Sequence, residues 1–467
     1  MTKDMLFGID SGKIVINTGS IDLVGKKKND SIFSPEVTGL SRRTMLKAAM
    51  GTMVGGAAAM LLSPGISRAA DVVPNAAQGG NPYATKDNPY ATKDNPRATK
   101  YNPYATGTDY SKIPQRLHKY PASDRAKKIV QDSLSIDTLF SGTWPEQWSS
   151  PEAPEFHDEM DRCIAGGMKI MAACPSADAL NTSSAVAMKT LQFYLKKINE
   201  RPDKYKIVRT TKDIDDAIKE KKLGLYFTHQ GTGLFEGDVD NVAIWRQLGY
   251  GYCLLAYNQR NPVGDGCFVK ENGPLTPYGK RLIDAYNHYG MLVDVSHTGE
   301  RTSLDAIERS SQPVISSHAV AMAIANYPRS LYDSVIKAIA KSGGVCSINM
   351  VGAFVDTSNP DIVTTDMLFK HIDYMANLVG IDHVGFGSDY IPDITFTADG
   401  MKTPAGQEIF PDGGYTTKTA YKGFPTPSSY QILPALLDKM LSKGYTEEDC
   451  QKFIGGNMYR VMKQVWI

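Results

Sequence analysis

One pattern limits the folds open to this chain. From about Asp124 onward, a short apolar run is followed by an amphipathic stretch, and the cycle repeats eight times. The apolar runs are Leu134–Leu139, Met168–Ala172, Gly224–Thr228, Tyr252–Ala256, Met291–Val295, Val314–Ser316, Gly344–Ile348 and His383–Gly387. Between them apolar residues recur at helical spacing over Ser184–Asn199, Asp238–Leu248, Pro277–His288, Glu300–Ser310, Tyr332–Lys341 and Met367–Leu378. Alternating strand and helix reads as a parallel α/β fold, and the count of eight predicts a (β/α)8 TIM barrel. No Gly-x-Gly-x-x-Gly follows the first strand, which weakens a dinucleotide-binding alternative.

A barrel of this kind carries its chemistry at the C-terminal ends of its strands. Those ends read Asp137, Gln230, Tyr257-Asn258, His297, His318, Asn349 and Asp389. Two histidines close consecutive strands, in GMLVDVSH and QPVISSH, with one crossover helix between them. Both imidazoles are therefore expected at one mouth, where they can share a metal. The carboxylate that ends the last strand, in GFGSD, belongs to the same expectation. His229 neighbours Gln230 and, by strand alternation, points the other way, so it is read as structural. His118, His157, His288, His371 and His383 fall in helices, in loops or at the start of a strand, and are read as surface or supporting residues.

Composition agrees with a folded protein of ordinary charge. Of 467 residues, 42% are hydrophobic and 22% charged, and the formal charge of +1 gives no reason to expect nucleic acid as a partner. The six cysteines (Cys163, Cys174, Cys253, Cys267, Cys346, Cys450) form no CxxC and no CxxH, so zinc-ribbon and thioredoxin readings have no footing. They are expected as buried free thiols.

The N-terminal quarter follows different rules. Ser41-Arg42-Arg43-Thr44-Met45-Leu46-Lys47 precedes an uncharged run from Ala48 to Leu62 and then the small residues around Ser67-Arg68-Ala69. Twin arginines, a weakly apolar segment shorter than the ~20 residues a bilayer needs, and a small-x-small site read as a twin-arginine (Tat) export signal. Residues 81–108 then repeat with a seven-residue period, NPYATKD, NPYATKD, NPRATKY, NPYATGT, with no aliphatic face to bury. The expected organisation is a leader with a Tat signal over 1–70, a low-complexity linker over 71–115 and the barrel over 116–467. Export to the periplasm, with the Tat translocase as a transient partner, follows from that signal.

From about Asp132 to the C-terminus the sequence resembles the membrane (renal-type) dipeptidases, zinc peptidases on a metal-dependent hydrolase barrel. The stretches that carry the resemblance are GPLTPYGKRLIDAYNHYGMLVDVSH, PVISSHAVAMAIANYPRSLYD, GIDHVGFGSDY and GYTEEDCQKFIGGNMYRVM. The resemblance implies a hydrolase acting on a dipeptide or modified short peptide, and by analogy a homodimer. The family's two-zinc centre uses a His-x-Asp pair on strand one, a bridging Glu on strand three and histidines on strands five and six. An Asp on strand eight handles the proton, an Arg after strand six binds the substrate carboxylate, and a His on strand four contacts substrate. Carried over by position, His297, His318, Arg329 and Asp389 match. Asp137 takes the Asp of His-x-Asp with Ser135 in place of its histidine, Gln230 replaces the bridging Glu, and Tyr257 replaces the substrate histidine.

Gln is neutral and bridges two dications poorly, so one metal is expected in place of two. His297 and His318 would hold it with Gln230, Asp137 or Asp389 as further ligands. Zinc is the first choice, with iron, manganese and copper also compatible with such donors. Asp389 is then the candidate general base, Tyr257 a donor to a developing oxyanion, and Arg329 with Tyr257 and Asn258 the substrate grip. A looser resemblance, to a bacterial branch with the same Gln and a similar Tyr-Asn pattern, implies an alternative. That is a non-hydrolytic metalloprotein in the maturation of a peptide natural product such as a siderophore, or a catalytically inactive binding module.

Overall fold

The computed structural model describes residues 8–10, 13–15, 119–140, 155–178, 183–358, 363–390 and 429–466. The proposed export signal and the seven-residue repeat lie outside the described residues. The chain divides into two units, Met1–Ala76 and Ala77–Ile467. In the first, Gly8–Asp10 pairs antiparallel with Lys13–Val15.

The second unit holds the barrel. Its strands are β1 (Ile136–Phe140), β2 (Ile170–Ala177), β3 (Leu223–Gln230), β4 (Tyr250–Leu254), β5 (Leu292–Asp294), β6 (Val314–Ala319), β7 (Val345–Ile348) and β8 (Val384–Phe386). Each pairs in parallel with the next, in the order β1 to β8. One short strand that the sequence pattern does not announce, Tyr205–Ile207, pairs in parallel with the start of β3, off this order. Its three residues are too few to show a period.

Among the described residues no ladder joins β8 to β1; side chains and one backbone bond link them instead. Asp389 N donates to Leu139 O at 2.8 Å, and Thr138 Oγ1 donates to Phe386 O at 2.9 Å. The seam is tight at Gly387, where a Cβ would stand 1.9 Å from Ser317 O, so only glycine fits.

Local sequence sets the helices between strands. The helix Pro277–Tyr289 starts where Thr276 Oγ1 accepts Gly279 N at 3.0 Å and Pro277 supplies a preset φ. It stops at Gly290, whose φ of 70° suits a left-handed cap. Leu282, Ile283 and Tyr286 form its buried stripe, and they face the sheet as part of the main apolar cluster. A second, separate cluster fills the lower barrel. Ile136, Ile170, Tyr226, Tyr252, Leu254, Leu292, Ile315 and Val345 meet Met458, Val461, Met462, Val465 and Trp466 from the last helix, Asn457–Val465, and its C-cap. Trp466 Nε1 donates to Gly251 O at 3.2 Å and the Arg246 guanidinium lies 5.2 Å from the indole ring. The C-terminal segment is therefore the floor of the barrel, and the opposite end is left for chemistry.

Candidate active site

Two of the strand-end histidines meet. His297, just beyond β5, and His318, within β6, are both buried, and their Nε2 atoms stand 3.1 Å apart. His297 adopts φ 60°, an unusual value for a non-glycine residue. Asn258 and Asp389 share this conformation, at φ 58° and 51°, so three of the six non-glycine residues with positive φ among the described residues belong to this one site. Strained backbone gathered at a mouth is a mark of a working site.

The second ring nitrogens are held as well. His297 Nδ1 lies 2.7 Å from Asn258 Oδ1, and Tyr257 stacks on the same ring at 4.2 Å with a 24° tilt. His318 Nδ1 lies 2.7 Å from Ser317 Oγ. Burial pushes both imidazoles well below their usual range of protonation, and the nearby Arg329 charge pushes further in the same direction. Both rings are accordingly neutral at physiological pH, the form that binds a metal.

Arg329 is only 2% exposed, yet among the described residues it makes a single hydrogen bond, from Nη2 to His318 O at 2.6 Å. Its Nε and Nη1 have no partner among the described residues. Phe354 packs against the guanidinium at 5.9 Å. A buried cation with two unused donors is a place for an anion, and a carboxylate matches its fork. Asp389 is fixed on the last strand's exit by Asn349, whose Nδ2 donates to Asp389 Oδ2 at 2.8 Å. Asn349 Oδ1 in turn accepts Val351 N.

Two further expected ligands, Asp137 and Gln230, also make contacts within the barrel. Asp137 lies inside β1, and its carboxylate accepts Leu139 N at 3.1 Å, Ser388 N at 2.8 Å and Ser388 Oγ at 2.5 Å, contacts that fasten β8 to β1. Gln230 turns its amide toward Cys174 Sγ at 3.6 Å. Among the described residues, no group of three or more His, Cys, Asp or Glu side chains is placed to hold an ion. The pairing of Ser135 with the family's histidine is corrected by the fold. Ser135 precedes β1, at the floor end, where its hydroxyl bonds Gly167 O and Lys169 N. The mouth end of β1 instead presents Leu139 and Phe140, both apolar.

His229 is structural, as alternation predicts. Its Nε2 lies 2.9 Å from Asp178 Oδ1, and Asp178 also accepts the amides of Thr232 and Gly233, which anchors the loop after β3. The pattern of strand ends missed Cys267, whose Sγ approaches Asn258 Oδ1 at 3.4 Å and whose thiol burial pushes up to about 12. His371, expected as a surface or supporting residue, is a supporting one: fully buried, it accepts Ala321 N and bonds Val355 O, tying the segment after β6 to the segment after β7. All six cysteines are free thiols, five of them buried.

A family model for the membrane dipeptidases, peptidase family M19, matches residues 124–406, more than half of the chain. The chain belongs to that family. A curated relative from Klebsiella pneumoniae, an uncharacterised protein in the pqqA 5′ region, is 29% identical over 54% of this chain and 86% of its own length. Dipeptidase tcpJ of Claviceps purpurea (strain 20.1) is 25% identical, and the match spans 56% of either chain. Among solved structures, an amidohydrolase from Pseudomonas aeruginosa superposes with a TM-score of 0.63 at 26% identity, covering 73% of this chain and 99% of that one. As a member of the dipeptidase family, this chain is a dipeptidase-like hydrolase on a TIM barrel, from a metal-dependent family with peptide substrates.

Proposed function

We propose that the protein cleaves a short peptide bearing a free carboxylate, using one divalent metal ion, most simply zinc, held by His297 and His318. The single observation that carries this reading is the imidazole pair. Two histidines sharing a metal at about 2.0–2.1 Å bring their nitrogens to about 3.3 Å, close to the separation of 3.1 Å found here. Depressed protonation of both rings and the fixed Nδ1 contacts fit the same role. When bound, such an ion supplies a water acidified to a pKa of about 7 and polarises a carbonyl.

The chain's own residues supply the rest. Arg329 offers its two unpartnered nitrogens to the substrate carboxylate and so orients the scissile bond relative to the imidazoles. Asp389, its rotation set by Asn349, is the group we assign to proton transfer at the mouth. Tyr257 holds the plane of the His297 ring and takes the substrate position expected from the sequence, together with Asn258. Gln230 and Asp137 leave the proposed ligand set in this reading, because their side-chain contacts serve Cys174 and the β1–β8 seam. The apolar mouth end of β1 supports one ion in place of two. The twin-arginine pattern supports export of the folded, metal-loaded protein to the periplasm.

The test pairs metal content per chain with turnover of a panel of dipeptides. One ion per chain, lost in the His297→Ala/His318→Ala double variant, with turnover abolished in a metal-loaded Asp389→Asn variant, would support the reading. Two ions would restore a binuclear centre. One ion with no turnover of any free-carboxylate peptide would leave a non-hydrolytic peptide-binding metalloprotein.

A further inference from the structure

The loop after β6 turns sharply at Tyr327-Pro328-Arg329-Ser330. Ser330 N donates to Tyr327 O at 2.8 Å, and Pro328 at the second position carries the φ that such a turn needs. Ser330 Oγ donates to Ala325 O at 2.8 Å and Leu331 N donates to Val320 O at 2.8 Å, so the turn is pinned to the backbone just beyond β6. A four-residue turn brings its ends within about 7 Å. It therefore presents two side chains from one place, the Arg329 guanidinium and the Tyr327 ring.

The Tyr327 ring is the middle of a row. It stacks on Phe354, of the short helix Gly352–Val355 after β7, at 5.7 Å with a 24° tilt. Phe268 meets it edge-on at 5.9 Å and 80°. Phe268 belongs to the loop after β4, which is stitched across the site: Cys267 N donates to His297 O at 2.7 Å and Phe268 N to Asn258 O at 3.0 Å. Loops from three strands thus place three rings in a row that runs from the backbone of Asn258 to the Arg329 guanidinium. Their burial differs. Phe354 is 2% exposed and lies against the guanidinium, so it backs the row. Phe268 and Tyr327 are half-buried and keep part of their surface exposed. An aromatic side chain kept partly wet, beside a buried cation with unused donors, is surface that a ligand can cover.

We propose that Tyr327 and Phe268 form the wall that receives the side chain of the substrate's C-terminal residue, and that the protein prefers peptides ending in an aromatic or large aliphatic residue. This deepens, and rests on, the assignment of Arg329 to the substrate carboxylate. In an α-amino acid the carboxylate and the side chain leave the same carbon. A carboxylate held by Arg329 therefore fixes where the side chain begins, and Tyr327, two residues away on the same turn, is within its reach. The ring pair carries no charge to meet an ionic side chain and gains from covering an apolar one.

The experiment compares kcat/KM for Ala-Phe, Ala-Leu, Ala-Gly, Ala-Asp and Phe-Ala on the zinc-loaded full chain. The variants are Tyr327→Ala, Tyr327→Phe, Phe268→Ala and, as a control, Ile324→Ala, an exposed residue of the same loop. Ala-Phe should be favoured over Ala-Gly by about 10–100-fold, the effect of covering one phenyl ring. That ratio should fall about tenfold in Tyr327→Ala and in Phe268→Ala. It should hold in Tyr327→Phe, which keeps the ring, and in Ile324→Ala. Equal kcat/KM for Ala-Phe and Ala-Gly would overturn the proposal, as would Phe-Ala favoured over Ala-Phe, or a ratio unmoved in both alanine variants. Calorimetry with N-acetylphenylalanine, N-acetylglycine and N-acetylphenylalaninamide separates this from failure of the function itself. If no dipeptide is cleaved, N-acetylphenylalanine should still bind about tenfold more tightly than N-acetylglycine and lose that margin in Tyr327→Ala. The two acids binding equally would remove the wall alone. No binding of either acid, or the amide binding as tightly as its acid, would remove the carboxylate anchor and with it the placement proposed here.

Discussion

The guanidinium of Arg329 donates to the backbone carbonyl of His318 at 2.6 Å while two of its nitrogens, in a buried site, have no partner among the described residues. One residue thereby reads the position of the imidazole strand and holds unused donors beside it. This arrangement is expensive for stability and useful for binding, because an unpaired buried charge is relieved only when an anion arrives. Arg329→Met should therefore act in opposite directions on the two properties. It removes the grip on a substrate carboxylate, and KM for free-carboxylate dipeptides should rise on the order of 100-fold, equivalent to about 2.7 kcal/mol. C-terminally amidated analogues should show no such change. The melting temperature should rise by roughly 2–4 °C for each kcal/mol regained. An unchanged KM with a lowered melting temperature would show that the guanidinium is structural.

Removing either imidazole tests the pair. His318→Ala leaves His297 Nε2 without its neighbour, and a site built from two ligands cannot hold zinc with one. Metal content should fall to background in His297→Ala and in His318→Ala alike, with no additive loss in the double variant. His371→Ala, a buried histidine outside the pair, should retain metal in whatever fraction folds.

Much of this was legible because periodicity reports burial on both faces of a parallel sheet. All eight expected strands form, with ends displaced by a few residues, and the six expected crossover helices are present. The β1 register was not legible. The order Ser135, Ile136, Asp137 offers a hydroxyl and a carboxylate at plausible spacing, and only the fold shows Ser135 at the floor, bonded to Gly167 and Lys169. Alternation alone cannot say where a strand begins. Asp294 and Ser317 were hidden for another reason. In GMLVDVSH and QPVISSH the histidines draw attention as ligand types, whereas Asp294 accepting the Ser317 amide and Ser317 Oγ meeting His318 Nδ1 are seen only once β5 and β6 lie side by side.

Acid should weaken the fold through His371. Its Nδ1 accepts Ala321 N at 3.2 Å and its Nε2 donates to Val355 O at 2.9 Å, so the native state holds the ring neutral. Burial lowers its pKa to about 4 from an ordinary value of 6.5. Below 6.5 the unfolded chain binds a proton that the folded chain refuses, so stability is complete above 6.5 and falls as pH drops toward 4. The loss approaches about 3 kcal/mol at the lower end, the product of the shift and 1.36 kcal/mol per unit. Denaturant titrations at intervals from pH 7.5 to 4 should show that slope. In His371→Gln the slope should be shallower by the same amount, although the variant is less stable at neutral pH. Equal slopes in the two proteins would assign the acid sensitivity elsewhere.

The floor of the barrel can be weakened without touching the mouth. Trp466 is 4% exposed, packs against Tyr226 at 5.2 Å and bonds Gly251 O, and a Cβ at Gly251 would stand 2.4 Å from the indole. The strand glycine and the indole are thus a matched pair. Trp466→Ala should cost about 3–5 kcal/mol through lost packing and the cavity left behind. Trp466→Phe keeps most of the apolar contact and loses the indole hydrogen bond, for about 1 kcal/mol. Because His297 and His318 lie at the opposite end of the strands, metal content per folded chain should be unchanged in both variants. Chemical denaturation with metal analysis of the folded fraction separates the two effects. Metal lost in step with stability would mean that the floor positions the imidazoles, and that the barrel transmits packing from one end to the other.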